Sequence, residues 1–149
     1  MDIVSIVLSI IAIVISITVA ILEYIRDYRI NYVNLEAEYY KKIFETHLID
    51  KIPTARKYIS FNYRSKLVGV DNLINALQEM QKDSLYFLYN NKNFYDKLKK
   101  RAQKLEDYLV EKANDGEISN ENEQREILNS INQYIEDLYI EISKGYNGK

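Results

Sequence analysis

The sequence predicts an all-α protein: an N-terminal transmembrane helix continuing into a cytosolic helical bundle. Three observations predict it. Residues 3–22 contain no charge, amide or proline. The chain has one proline, Pro53, and four glycines, so little interrupts a helix. Beyond residue 22, apolar side chains recur at spacings of three and four, the period of a helix.

The first element is residues 3–22. Twenty residues make a helix about 30 Å long, the thickness of a bilayer's hydrocarbon core. A cleaved leader is the rival reading. Thr18-Val19-Ala20 offers a small-x-small site, but Met1-Asp2 lacks the Lys or Arg of a leader's first region, and the apolar run exceeds a leader's usual length. Arg26, Arg29, Lys41 and Lys42 follow the run, whereas only Asp2 and the amino terminus precede it. The positive-inside rule then places the N-terminus outside and the remainder in the cytoplasm of a cell whose inner membrane it spans.

Residues 23–50 form a helical stalk. Ile25, Tyr28, Tyr32, Leu35, Tyr39 and Ile43 define one face, and Pro53 is expected to end the helix. Residues 51–145 form the cytosolic α-helical domain. Its start, residues 54–70, is irregular; Lys57 to Phe61 suit a short strand without an evident partner, or a loop with a helical turn. Asp71 suits the N-cap of a helix reaching Tyr89, with Leu73, Ile74, Leu77, Met80 and Leu88 on its apolar face. Asn90-Asn91 breaks it. The next helix carries Phe94, Tyr95, Leu98, Leu105, Tyr108 and Leu109, and Asp115-Gly116 ends it, the glycine suiting a left-handed cap. Ser119 suits the cap of the last helix, whose face is Ile127, Leu128, Ile131, Ile135, Leu138 and Ile142. Residues 146–149 are a tail, with fraying expected from Gly145.

Composition narrows function. A net charge of -2 does not suggest a nucleic-acid binder, and the absence of cysteine removes disulfides, thiolate metal sites and a cysteine nucleophile. There is no P-loop, HExxH or GxSxG string. His47, the only histidine, stands near Glu45 and Asp50 and reads as a surface residue at a helix end; Glu106-Asp107 reads as a solvated face. Neither a catalytic residue, a metal site nor a cofactor is called for.

Three groups of residues carry functional expectations. Ser5, Ser9, Ala12, Ser16 and Ala20 lie on one stripe of the apolar helix. Lipid already solvates apolar side chains, so membrane helices associate by close packing, which small residues permit. The partner of a single span comes from another molecule, most simply a second copy. The seam extends through Ile30, Val33, Ala37, Tyr40 and Phe44, a face that could meet a neighbouring subunit. The third group is basic: Arg56, Lys57, Arg64 and Lys66, then Lys97, Lys100, Arg101 and Lys104. Acidic residues such as Glu121, Glu126, Glu136 and Asp137 follow, so neutralisation between helices accounts for these charges. An anionic headgroup, a nucleotide or a nucleic acid is the alternative, with Tyr58, Phe61 and Tyr63 available for stacking.

One span followed by a short charged helical domain, with the string SLYFLYNNKNFYDKLKK from Ser84 to Lys100, resembles small membrane-anchored effector or accessory proteins of bacterial anti-phage defence loci. The resemblance is architectural and transfers no individual site residue. It implies an effector that damages the inner membrane when a cytosolic partner or sensor activates it.

Overall fold

The computed structural model describes residues 3–147, apart from the side chains of Val4, Tyr146 and Asn147. Met1-Asp2 and the Gly148-Lys149 end of the expected tail lie outside the described residues. The protein is all-α, with a long apolar N-terminal helix and further helices after it. The chain divides into two units, residues 1–38 and residues 39–149.

The first unit is the larger part of α1 (Ile3–Ile43). With neither glycine nor proline, nothing breaks it. Every described side chain from Ile3 to Leu35 is exposed. The hydroxyls of Ser9 and Ser16 donate to the carbonyls of Ser5 and Ala12, each at 2.9 Å, and Thr18 donates to Val14 at 2.8 Å. These bonds fold the polar atoms back onto their own helix.

The second unit begins with the last residues of α1. A π-helical segment follows (Phe44–Lys51), then α2 (Ile52–Arg56). Pro53 therefore does not end the helical path. It stands in the first turn of α2, where its missing N–H is tolerated. A proline ring clashes with the carbonyl four residues back. The wider ladder just before it, with Ile52 N–H bonded to His47 C=O, is consistent with relief of that clash. This segment is tied down from two sides. Lys51 pairs with Glu79 at 2.6 Å, and the Tyr139 hydroxyl donates to the Leu48 carbonyl.

The irregular stretch contains a strand with a partner. β1 (Ser60–Phe61) pairs antiparallel with β2 (Leu67–Val68), Ser60 opposite Val68 and Phe61 opposite Leu67. The Asn62 side chain accepts from Arg64 N–H and Lys66 N–H at 2.9 and 3.1 Å and so builds the turn. Gly69 follows at φ +80°; a Cβ there would strike the Tyr58 carbonyl. It occupies the position expected for Asp71, which instead lies in the first turn of α3 (Val70–Asp83).

The helix expected to reach Tyr89 is two helices. Ser84 is fully buried, its hydroxyl donates to the Met80 carbonyl at 2.7 Å, and the chain bends there into α4 (Leu85–Asn90). Asn91 breaks α4, as expected, and caps α5 (Lys92–Asn114) by accepting from Phe94 N–H at 3.2 Å. The end of α5 differs from expectation: Asp115 is extended and Gly116 is not left-handed. The last helix, α6 (Glu121–Asn147), starts from Asn120 rather than Ser119; the Asn120 side chain accepts from Asn122 N–H at 2.9 Å. It runs through Gly145, where fraying was expected.

The core is built around Phe87, which is fully buried. Its ring centroid lies 4.4 Å from that of Tyr40 and 4.9 Å from that of Phe94. Tyr39 stacks on Tyr86 at 3.8 Å. Each such ring pair contributes about 0.5–1.5 kcal/mol beyond burial. Leu73, Leu77 and Met80 of α3, Leu98, Leu105 and Leu109 of α5, and Ile131, Leu138 and Ile142 of α6 complete it.

Gly145 is packed tightly. A Cβ there would meet the Phe94 and Tyr40 rings at 2.7 Å, whereas nothing lies near Gly116. Alanine favours a helix over glycine by about 1 kcal/mol, but these rings sit in the core and cannot retreat. Gly145→Ala should destabilise by about 1–3 kcal/mol in chemical denaturation, and Gly116→Ala should leave the midpoint near that of the parent.

Glu106 is only partly solvated, contrary to expectation, and accepts from Gln81 at 2.8 Å. Burial, then the neighbouring Asp107 charge, raise its pKa; the Gln81 hydrogen bond opposes them. A carboxylate raised above 4.5 in the folded state costs stability at neutral pH, and that cost disappears below 4.5. Glu106→Gln keeps the acceptor. Its thermal midpoint should exceed the parent's at neutral pH, and the two should converge as pH falls below 4.5.

Candidate functional site

The second half of the basic group comes together on the domain surface. Lys97, Lys100 and Lys104 follow one another at three and four residues along α5, which puts them on one stripe. Helix α6 lies antiparallel beside α5: Phe94 is against Gly145, Arg101 binds Asp137 and Glu141, and Tyr108 is near Tyr134. Between them lies a groove of about 670 Å³. Its lining includes those three lysines, Arg101, Lys144, Asn91, Asn93, Tyr134, Asp137 and Glu141.

Arg101 is the fixed charge. Its Nε is 3.0 Å from Glu141, which is 7% exposed, and a terminal nitrogen is 3.1 Å from Asp137. Here the expected neutralisation between helices is realised. It does not extend to Lys97, Lys100, Lys104 or Lys144, none of which has an ion-pair partner among the described residues. Five basic groups against two acidic ones leave a local excess of three positive charges, in a chain of net charge -2.

The first half of the basic group is elsewhere. Arg56 donates to Asn132 at 2.8 Å, Lys57 is exposed beyond α2, and Arg64 lies over the Tyr63 ring at 5.2 Å in the hairpin turn with Lys66 beside it. None of the four lines the groove. Tyr58 and Tyr63 are exposed and Phe61 is half-buried. Sequence reasoning missed Lys144, Tyr134, Asn91 and Asn93 as groove residues. The pairing of the basic stripe of α5 with acidic α6 was the available signal.

The stripe Ser5, Ser9, Ala12, Ser16 and Ala20 is exposed along α1, as are Ile30 and Val33; Ala37 is half-buried. Tyr40 is a correction. At 2% exposure it belongs to the core of the second unit, so its ring is not presented to a neighbouring subunit. Phe44 is 36% exposed and lies edge-on to Tyr139. Its position with Ile49 and Ile142 makes a smaller apolar groove of about 440 Å³.

His47 is a second correction. It is fully buried, Nε2 donates to Asp83 at 2.8 Å, and Nδ1 has no partner among the described residues. It lies four residues after Ile43, on the face of the helical path that enters the core. Among the described residues, no three His, Asp or Glu side chains gather as metal ligands.

Comparison with protein-family models, curated proteins and solved structures finds no match to this chain.

Arg101 tests how the groove is held. Arg101→Ala leaves the Glu141 carboxylate buried and unpaired. Because Arg101 and Asp137 remain partly solvated, the expected loss is about 1–3 kcal/mol. Lys100→Ala should change stability by less than about 0.5 kcal/mol. Parallel denaturation curves check both.

Proposed function

We propose that this is a single-span inner-membrane protein, N-terminus outside, that acts by association rather than catalysis. Its membrane helix pairs with copies of itself, and its cytosolic domain takes an input that alters the membrane assembly. The observation that carries this reading is α1. Its most apolar stretch has a mean hydropathy of 2.9 and none of it is buried within the protein. A helix apolar on all sides needs a nonpolar surround, and a bilayer supplies one.

The small stripe supports self-association. The Ser9 and Ser16 hydroxyls are satisfied by their own helix, so hydrocarbon leaves no donor unpaired there. A partner backbone can then approach closely over these positions. The resemblance to anchored effectors of anti-phage loci gives the output its form: loss of inner-membrane integrity once a cytosolic sensor engages the domain. A holin-like or toxin-like protein is the variant of this reading in which expression alone is toxic.

The second reading is an anchored adaptor that displays a helical binding domain. It is favoured by the second unit, which has its own core and a charged groove. Replacing residues 3–22 with a foreign transmembrane helix separates the two: the adaptor keeps its function and the assembling effector loses it.

Crosslinking in membranes tests the stripe. Ser9→Leu and Ser16→Leu should shift the protein toward monomer, while Ile13→Leu should match the parent. Equal ladders for all three, or full release into the aqueous phase without detergent, would overturn the leading reading.

A further inference from the structure

We propose that the α5–α6 groove binds a small anion bearing two or more phosphate groups. The inference rests on the second unit alone and stands whether or not the membrane helix self-associates.

Three observations carry it. Lys97, Lys100 and Lys104 share one stripe, and like charges at this spacing repel one another. The protein does not relieve that repulsion: the two carboxylates in the groove, Asp137 and Glu141, are both engaged by Arg101. Lys144 brings a further ammonium from α6. A counter-charge from outside completes this arrangement.

The size and composition of the groove narrow the ligand. About 670 Å³ suits a small molecule. The lysines span about 10 Å along the helix axis, more than one phosphate covers and suited to a chain of two or three. Lysine ammonium groups bind phosphate as mobile point charges. Asn93 adds an exposed amide group at one end. The phosphates could belong to a soluble compound or to a lipid headgroup; the chemistry recognised is the same.

The full chain in neutral-detergent micelles is titrated calorimetrically with inorganic tripolyphosphate and, separately, with short-chain cardiolipin, a lipid whose headgroup bears two phosphates, added to the micelles. Two variants of equal charge are compared: Lys97→Gln/Lys100→Gln/Lys104→Gln in the groove, and Lys57→Gln/Lys66→Gln/Lys82→Gln outside it. All six positions are exposed, and circular dichroism checks that both variants keep the parent's helicity. The groove variant should bind about tenfold or more weakly, with the outside variant close to the parent. Binding of tripolyphosphate identifies a soluble ligand, and binding of cardiolipin alone identifies a headgroup. Equal weakening in both variants would assign the effect to overall charge and overturn the proposal. Failure of the parent to bind either probe at millimolar concentration would overturn it too.

Discussion

The second unit depends on the ring cluster around Phe87. Tyr39 and Tyr40 enter it from α1, Tyr86 and Phe87 from α4, and Phe94 from α5. The end of α1 is thereby fixed to α4 and α5, more than forty residues later in the chain, by large, rigid apolar surfaces. Asn91 reinforces the same place, capping α5 with its oxygen and donating to the Tyr40 hydroxyl at 3.1 Å. Gly145 completes it, because only a residue without a side chain lets α6 lie against the rings. A protein without tryptophan or cysteine, with fourteen tyrosines and four phenylalanines, builds its centre from the rings it has.

A second constraint is how the helical path continues past Pro53. The π-helical turn stands just before the proline, where a wider ladder eases the clash of its ring. His47 and Leu48 of this segment are buried in the core. The segment is secured by other elements: His47 by Asp83 of α3, Lys51 by Glu79 of α3, and the Leu48 carbonyl by Tyr139 of α6. A distortion required by one residue is held by contacts to two helices.

Charge is distributed by the same logic. Where a charge is buried it has a partner, as with Glu141 and Arg101. Where α5 faces the groove, three lysines stand together and solvent screens them. The apolar helix is the reverse case: its Ser9, Ser16 and Thr18 hydroxyls are internally bonded, and its apolar surface is exposed.

The helical class and the core faces of α3, α5 and α6 were legible in the sequence, because a period of three and four is a local property that burial then selects. Of the face read along α1, Ile25, Tyr28, Tyr32 and Leu35 are exposed and only its end at Tyr39 and Ile43 enters the core. Leu73, Leu77, Leu98, Leu105, Ile131 and Leu138 reached the core as their spacing foretold. The apolar run was equally plain, since its length and composition need no tertiary context. Tertiary structure decided the rest. His47 looked solvated because its partner Asp83 is 36 residues away. Ser84 looked like helix interior, and it is a fully buried junction between α3 and α4. The strand at Ser60–Phe61 lacked a partner until the Asn62 turn brought Leu67–Val68 back to it. The two basic clusters were legible, but that Lys144, Asp137 and Glu141 share a groove with Lys97, Lys100 and Lys104 was set by the docking of α5 on α6. Sequence determines what each segment prefers; long-range packing determines which segments meet, and the functional surfaces exist only where they do.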